Sequence, residues 1–240
     1  MDRAKPAQAG TVRAWDLPTR FFHWALVFCI ASAWVSFEFA SRIGDPTLRW
    51  HRWNGYVILV LLVFRIIWGF VGGSTSRFAA FLNWPWTALG YLRETLSGHH
   101  RLYLGHNPAG AWMIVALITV VMAQALLGLF TLEHNELTAG PLQRLIIDNE
   151  DLTKRVQFLH GRGFYLIVGL VVLHVAANVL YRVLAKDRLI EAMVTGVKPA
   201  ARYEDQQEAT GGSMIAALGC LVAAAAIVFG GIVAMGGRII

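Results

Sequence analysis

The chemistry-bearing residues that stand out most in this chain are two histidines on one apolar stretch. His160 and His174 lie 14 residues apart in a run over about 158–182, with Arg162 between them. On a helix, 14 residues make about 3.9 turns. The two imidazoles then share a face to within about 40° and differ in height by about 21 Å. One helix therefore offers an imidazole near each of its ends. His23 and His51 stand at the starts of two earlier apolar runs. If the runs alternate in direction across a bilayer, His23 reaches the depth of His174 and His51 the depth of His160. A pairing of His23 with His160 would need rings about 20 Å apart in depth to share one centre.

Each such pair supplies two imidazoles with no carboxylate or thiolate beside them in the apolar zone. Zinc takes four protein ligands, or three and a water. Haem brings four nitrogens of its own and needs only two axial ligands, and its apolar ring belongs between helices. Two sites of this kind, His23 with His174 and His51 with His160, predict two haem b groups held non-covalently. The sequence has no Cys-x-x-Cys-His for covalent attachment. Three arginines stand where haem propionates would lie. Arg52 follows His51, Arg162 is two residues after His160, and Arg65 comes 14 residues after His51, at the level of the inner pair. Guanidinium groups bind carboxylates bidentately. The plainer alternatives are that a single histidine at a span end bonds an interfacial carbonyl, and that Arg52 and Arg162 snorkel to lipid phosphates. Arg65, flanked by Phe64 and Ile66, is harder to read that way, because an ionisable group inside a span has a specific partner as a rule.

The remaining histidines read as loop residues. His99, His100 and His134 fall in polar turns. His106, in Tyr103-Leu104-Gly105-His106-Asn107-Pro108, reads first as a helix-entry turn residue and second as a group able to reach a haem edge or a quinone headgroup.

The elements that must position these residues follow from composition. Of 240 residues, 56% are hydrophobic and 15% charged, with a mean hydropathy of +0.52. A soluble domain of this size carries about 25% charged residues, so the chain has too little polar surface to cover a globule in water. Five segments approach the roughly 20 apolar residues that a bilayer requires: 21–39, 53–72, 109–132, 158–182 and 213–236. The net charge of +6 comes from basic residues flanking these spans, not from a patch suited to nucleic acid. Residues 1–20, 73–108 and 182–212 carry more Lys and Arg than the intervening loops, which places the N-terminus in the cytoplasm and an odd fifth span's end outside. Cys29 and Cys220 lie within apolar runs and read as small buried residues.

Three stretches between spans have the spacing of surface helices: 85–97, with Trp86, Leu89, Leu92 and Leu96 on one side, 187–195, and the more acidic 140–156. Residues 199–212 read as a polar linker to the last span. The expected organisation is an all-α integral membrane protein: a cytoplasmic segment over 1–20, a four-helix transmembrane haem bundle over 21–198, the linker, and a fifth C-terminal transmembrane helix within 213–240.

With these residues placed, the chain resembles the bacterial di-haem cytochrome b family, which covers the b-type cytochrome subunit of nickel–iron hydrogenases and the stand-alone bacterial cytochromes b561. The matching stretches are Val12 to Arg20 leading into Phe22-His23-Trp24, Trp50-His51 with Gly55-Tyr56, Phe64 to Phe70, Tyr103 to Pro108, and His160, Leu173-His174-Val175 and Tyr181-Arg182. The likeness covers about 12–198. It implies a four-helix bundle with two stacked b haems, axial histidines at His23, His51, His160 and His174, and electron transfer between a quinone and a partner protein in the bacterial inner membrane.

The fifth span departs from that pattern. Gly219, Ala223, Ala226, Gly230 and Ala234 give it small residues at near-helical spacing, suited to close contact with a partner helix or a second copy. The expected function is transmembrane electron transfer through two bis-histidine haems, between the quinone pool and a c-type cytochrome or periplasmic oxidoreductase. Two readings from other classes stay open. One is a quinone-linked oxidase of a small periplasmic anion such as superoxide, with Arg42, Arg49, Arg52, Lys154, Arg155 and Arg162 steering the anion. The other is a non-redox transporter lined by histidine and arginine.

Overall fold

The computed structural model describes residues 10–45, 47–132 and 139–239. His134, Glu133, Glu136, Arg3 and Lys5 lie outside the described residues. The chain is an all-α membrane protein. Eight α-helices are described: α1 (Leu17–Glu38), α2 (Arg49–Val71), α3 (Phe78–Phe81), α4 (Pro85–Leu96), α5 (Pro108–Gly128), α6 (Glu150–Leu184), α7 (Leu189–Thr195) and α8 (Met214–Ala234). Five of them, α1, α2, α5, α6 and α8, are long and apolar enough to cross a membrane. They correspond to the five expected spans, with ends shifted by a few residues. The chain forms two compact units, one of Met1–Phe21, Trp68–Val115 and Val172–Ala217, the other of Phe22–Ile67, Ala116–Val171 and Leu218–Ile240.

The first unit is tied together by polar contacts that span length and hydropathy do not reveal. Strand β1 (Thr11–Arg13) pairs antiparallel with β2 (Val197–Pro199), with Val12 opposite Lys198. The amides of Ala14 and Trp15 donate to the carbonyl of Gly196, which ends α7 in the left-handed conformation that glycine takes without a Cβ penalty. Around this seam Ala14, Trp15, Leu104, Ala192 and Tyr203 form a small core. Asp16 starts α1: its carboxylate accepts from the Thr19 amide at 2.7 Å, the Ser76 hydroxyl at 2.9 Å and the Gly73 amide at 3.2 Å. An acid at an N-cap satisfies amides that the first turn leaves without partners, worth about 1 kcal/mol.

One expectation is corrected in this unit. Residues 199–212 are not a free linker. Tyr203 is in the core, its hydroxyl donating to the Pro199 carbonyl at 2.6 Å, and Asp205 accepts from the amides of Leu104 and Gly105 at 2.7 and 2.9 Å. Lys198 is likewise buried, donating to the Tyr103 carbonyl at 2.8 Å and pairing with Asp187 at 2.9 Å. Asp205 thus ties the segment to the 102–106 loop and Gln206 ties it to Ser74, while Arg202, Glu204, Gln207 and Glu208 remain exposed. Burial, and next the Asp187 charge, push the Tyr203 phenol up to about 12. The surface helices over 85–97 and 187–195 appear as α4 and α7. On α4, Trp86, Leu89 and Leu96 are exposed while Ala88 and Tyr91 are buried, as a helix lying in an interface requires.

In the second unit α2 is the most buried helix, with Tyr56, Leu59, Leu62 and Phe64 in the interior. The third surface helix, over 140–156, is not formed. Residues 143–145 make one 3-10 turn, and residues from Glu150 on are the first turns of α6. Glu150 and Asp151 sit in that first turn, where acids favour the positive end of the helix dipole. The span and the acidic stretch before it are one 35-residue helix. The C-terminal α8 packs on this unit: Phe229 meets Tyr56 edge to face at 6.1 Å, and Ala224 and Ile232 are buried.

Candidate haem site

His51 lies in the first turn of α2 because Asp45 starts that helix. The Asp45 carboxylate accepts from the Arg49 and Trp50 amides at 3.0 and 2.8 Å. Burial works against its charge. The amides of Trp50 and Arg49, the Thr47 hydroxyl and the Arg52 guanidinium outweigh burial and hold the carboxyl below its usual value. Asp45 precedes Pro46 in the sequence, a local turn-and-cap signal. From this cap the His51 ring turns inward. Its Nδ1 is 2.8 Å from the carbonyl of Ala33 on α1, and its face meets Phe37 at 5.6 Å.

His160 comes from α6. Its Nδ1 is 3.0 Å from the carbonyl of Gln124 on α5. The Gln124 side chain returns the contact, its Nε2 donating to the His160 carbonyl at 2.8 Å. The two rings stand 6.2 Å apart between centres, with planes at 87°. A carbonyl only accepts, so both Nδ1 atoms carry the proton. That tautomer leaves each Nε2 with a lone pair for a metal. Two imidazoles on one metal, through bonds of about 2 Å each, place their ring centres about 6 Å apart. The donor set and the spacing therefore fit an iron held on both sides. Among the described residues no three His, Cys, Asp or Glu side chains gather as they would for a bare ion.

The other expected site residues fall as follows. His23 belongs to the second unit, where its ring meets Trp24 edge-on at 4.9 Å. His174 belongs to the first unit. Asn178, one turn further along α6, donates to the His174 carbonyl at 2.7 Å and lies 3.3 Å from its Nε2. α6 is unbroken from His160 to His174, so the shared face read from their spacing has an intact helix beneath it. Arg65 is buried, 2% exposed. Arg52 lies within electrostatic reach of Asp45, and Arg162 is exposed with its guanidinium 5.8 Å from the Phe158 ring centre. His106 is packed in the first unit between Trp15 and Phe81, with ring centres at 4.6 Å on each side. Cys29 and Cys220 are free thiols.

Gln124, Gly128 and Gly163 also line this contact, and nothing in the sequence marks them. A neutral amide and two glycines carry no charge signal. Their role appears only where α5 and α6 meet.

The chain has relatives among known proteins. The chain is similar to the probable Ni/Fe-hydrogenase 1 B-type cytochrome subunit of Escherichia coli K12, at 25% identity over 76% of this chain and 88% of the relative. It is also similar to the probable Ni/Fe-hydrogenase B-type cytochrome subunits of Bradyrhizobium diazoefficiens, at 23% identity over 78% and 85%, and of Cupriavidus necator, at 20% over 82% and 92%. The prokaryotic cytochrome b561 family model matches residues 14–196, a stretch that begins in the β1–α1 turn and ends at the Gly196 cap of α7. With five membrane-crossing helices and a paired-imidazole site suited to b haem, this electron-transfer protein belongs to the prokaryotic cytochrome b561 family.

Proposed function

We propose that the chain carries electrons across the membrane between the quinone pool and a redox enzyme or c-type cytochrome on the outer face, on two haem b groups. His51 and His160 would hold the outer one and His23 and His174 the inner one. When bound, haem supplies a one-electron ferric/ferrous couple. The observation that carries the reading is the His51–His160 pair, with both Nδ1 atoms on carbonyls and the ring centres 6.2 Å apart. Two histidines holding one haem would leave its iron no open position, which favours outer-sphere transfer over oxygen activation. The second pair rests on the sequence spacing of His160 and His174 along α6 and on alternation of the spans.

The relatives are named as hydrogenase cytochrome subunits, which supports a hydrogenase-like oxidoreductase as the outer partner. Arg65, and Arg52 and Arg162 at the outer end, would neutralise propionates. The test is a dithionite-reduced minus oxidised spectrum of the purified protein with a pyridine haemochrome count, followed by reduction with a quinol in liposomes. Two extractable b haems per chain that quinol reduces are expected. A colourless protein would overturn the reading in favour of a non-redox transporter, and one haem per chain would overturn the two-site form.

A further inference from the structure

The α5–α6 contact at His160 holds more than one ring hydrogen bond. The His160 carbonyl lies inside α6, where helix geometry already gives it an acceptor role in its own ladder. The Gln124 amide is a second donor to that carbonyl, so it adds nothing to the helix and ties one helix to the other. In return the main-chain carbonyl of Gln124, which any substitution there keeps, accepts from the His160 ring, so the side-chain amide acts by holding the two helices in the register that this bond needs. Two glycines make room. A Cβ at Gly128 would stand 3.0 Å from His160 Cε1, tighter than ordinary contact, and one at Gly163 would overlap Gln124 Oε1. Among the described residues that Oε1 is buried with no hydrogen-bond donor, so the side chain is held by its amide end and by shape.

We propose that Gln124 is the positioning residue of the outer haem site: its reciprocal bonds to His160, in the space left by Gly128 and Gly163, fix the His160 ring perpendicular to His51 and keep its Nδ1–H on a carbonyl. This rests on the reading that His51 and His160 hold a haem. Two consequences follow for this chain's ligands. A hydrogen bond from Nδ1–H to a carbonyl makes the imidazole more basic and favours the ferric state. Perpendicular ligand planes keep the two iron orbitals that they overlap close in energy, which widens the anisotropy of a low-spin ferric signal.

The experiment compares the purified full-length parent with Gln124→Leu, Gly163→Ala and the double variant. Measured are haem count, the electron paramagnetic resonance of the ferric protein, and a redox titration resolving the two haems. Leu is close to Gln in size and removes only the amide, so haem content should hold. In each single variant the outer signal should lose anisotropy and the outer midpoint should rise, with the inner haem as unchanged control. Because both substitutions act through one amide, the double variant should shift no further than either alone. An outer signal and midpoint identical to the parent, an equal shift of both haems, or additive effects would each overturn the proposal. A parent without an outer haem would instead overturn the ligand reading beneath it.

Discussion

The His51 and His160 rings are perpendicular and 6.2 Å apart, each anchored by Nδ1 to a carbonyl of a different helix, Ala33 on α1 and Gln124 on α5. Four helices thus fix two ligands, and loss of either ligand should empty the same site. His51→Ala and His160→Ala should each remove one haem per chain, and the double variant should remove no more than that one. A haemochrome count tests this. In His160→Gly, added free imidazole should restore the six-coordinate spectrum, because the carbonyl of Gln124 remains to orient it. A double variant that lost a second haem would separate the two residues.

The inner pair gives a distinct expectation. His23→Ala and His174→Ala should remove one spectral component in common, and not the one that His51→Ala removes. Asn178 bonds the His174 carbonyl at 2.7 Å and approaches Nε2 at 3.3 Å. If that nitrogen binds iron, the amide is a neighbour and not a ligand, so Asn178→Ala should keep the inner haem and move only its absorption band. Haem loss in Asn178→Ala would assign Asn178 a direct part in holding the ring.

The spans and the histidine faces were legible because both are local. Hydropathy over about 20 residues and a 14-residue step on one helix need no knowledge of neighbours. What escaped is non-local. β1 and β2 are three residues each, and Val12 opposite Lys198 pairs positions that nothing in either stretch relates. Residues 199–212 read as linker because Tyr203 and Asp205 look polar until the 102–106 loop is seen to receive them. The acidic run from Glu150 read as a surface helix because its charges hid its continuity with α6. Asp16 and Asp45, in contrast, carry a local signal, an acid just before an apolar run, that marks a helix cap.

Asp45 makes the outer site sensitive to acid. Its carboxyl is held below the ordinary value, so it contributes stability that is present above about pH 4, the unfolded value, and is lost as pH falls through its folded value. Asp45→Ala removes the cap and should cost about 1 kcal/mol. It should also flatten the acid limb of outer-haem retention, measured as remaining absorbance after incubation across pH 2 to about 6. Parent and variant losing the outer haem along the same acid curve would show that Asp45 does not support His51.

The fifth helix is more than an anchor, since Phe229 packs on Tyr56 of the helix that carries His51. A truncation after Pro199 would also strip Tyr203 and Asp205 from the first unit, so the informative cut falls after Gly212. That protein should keep both haems and melt at lower temperature, and Phe229→Ala should reproduce part of the loss. If the truncated protein loses association with a second copy or a partner while its melting point is unchanged, α8 acts in docking alone.

Arg65 puts a positive charge inside a span, where insertion alone costs roughly 2.5–3.5 kcal/mol. It is 2% exposed, so water does little to screen its field. Standing 14 residues after His51 on the unbroken α2, it lies about 21 Å along that helix, at the level read for His23 and His174. A fixed cation near a haem favours the ferrous state, whose iron carries one positive charge less. Arg65→Leu should therefore lower the inner midpoint by several tens of millivolts, about the effect of a unit charge at 8–10 Å with an effective dielectric near 20. The outer midpoint should move less, since His51 stands about 21 Å from Arg65 along α2 and Coulomb energy falls with distance. Arg65→Lys keeps the charge and loses the bidentate fork, so it should hold most of the inner potential while weakening haem retention. Superimposable titrations of the Leu variant and the parent would place the guanidinium away from the haem, reaching instead toward lipid phosphates.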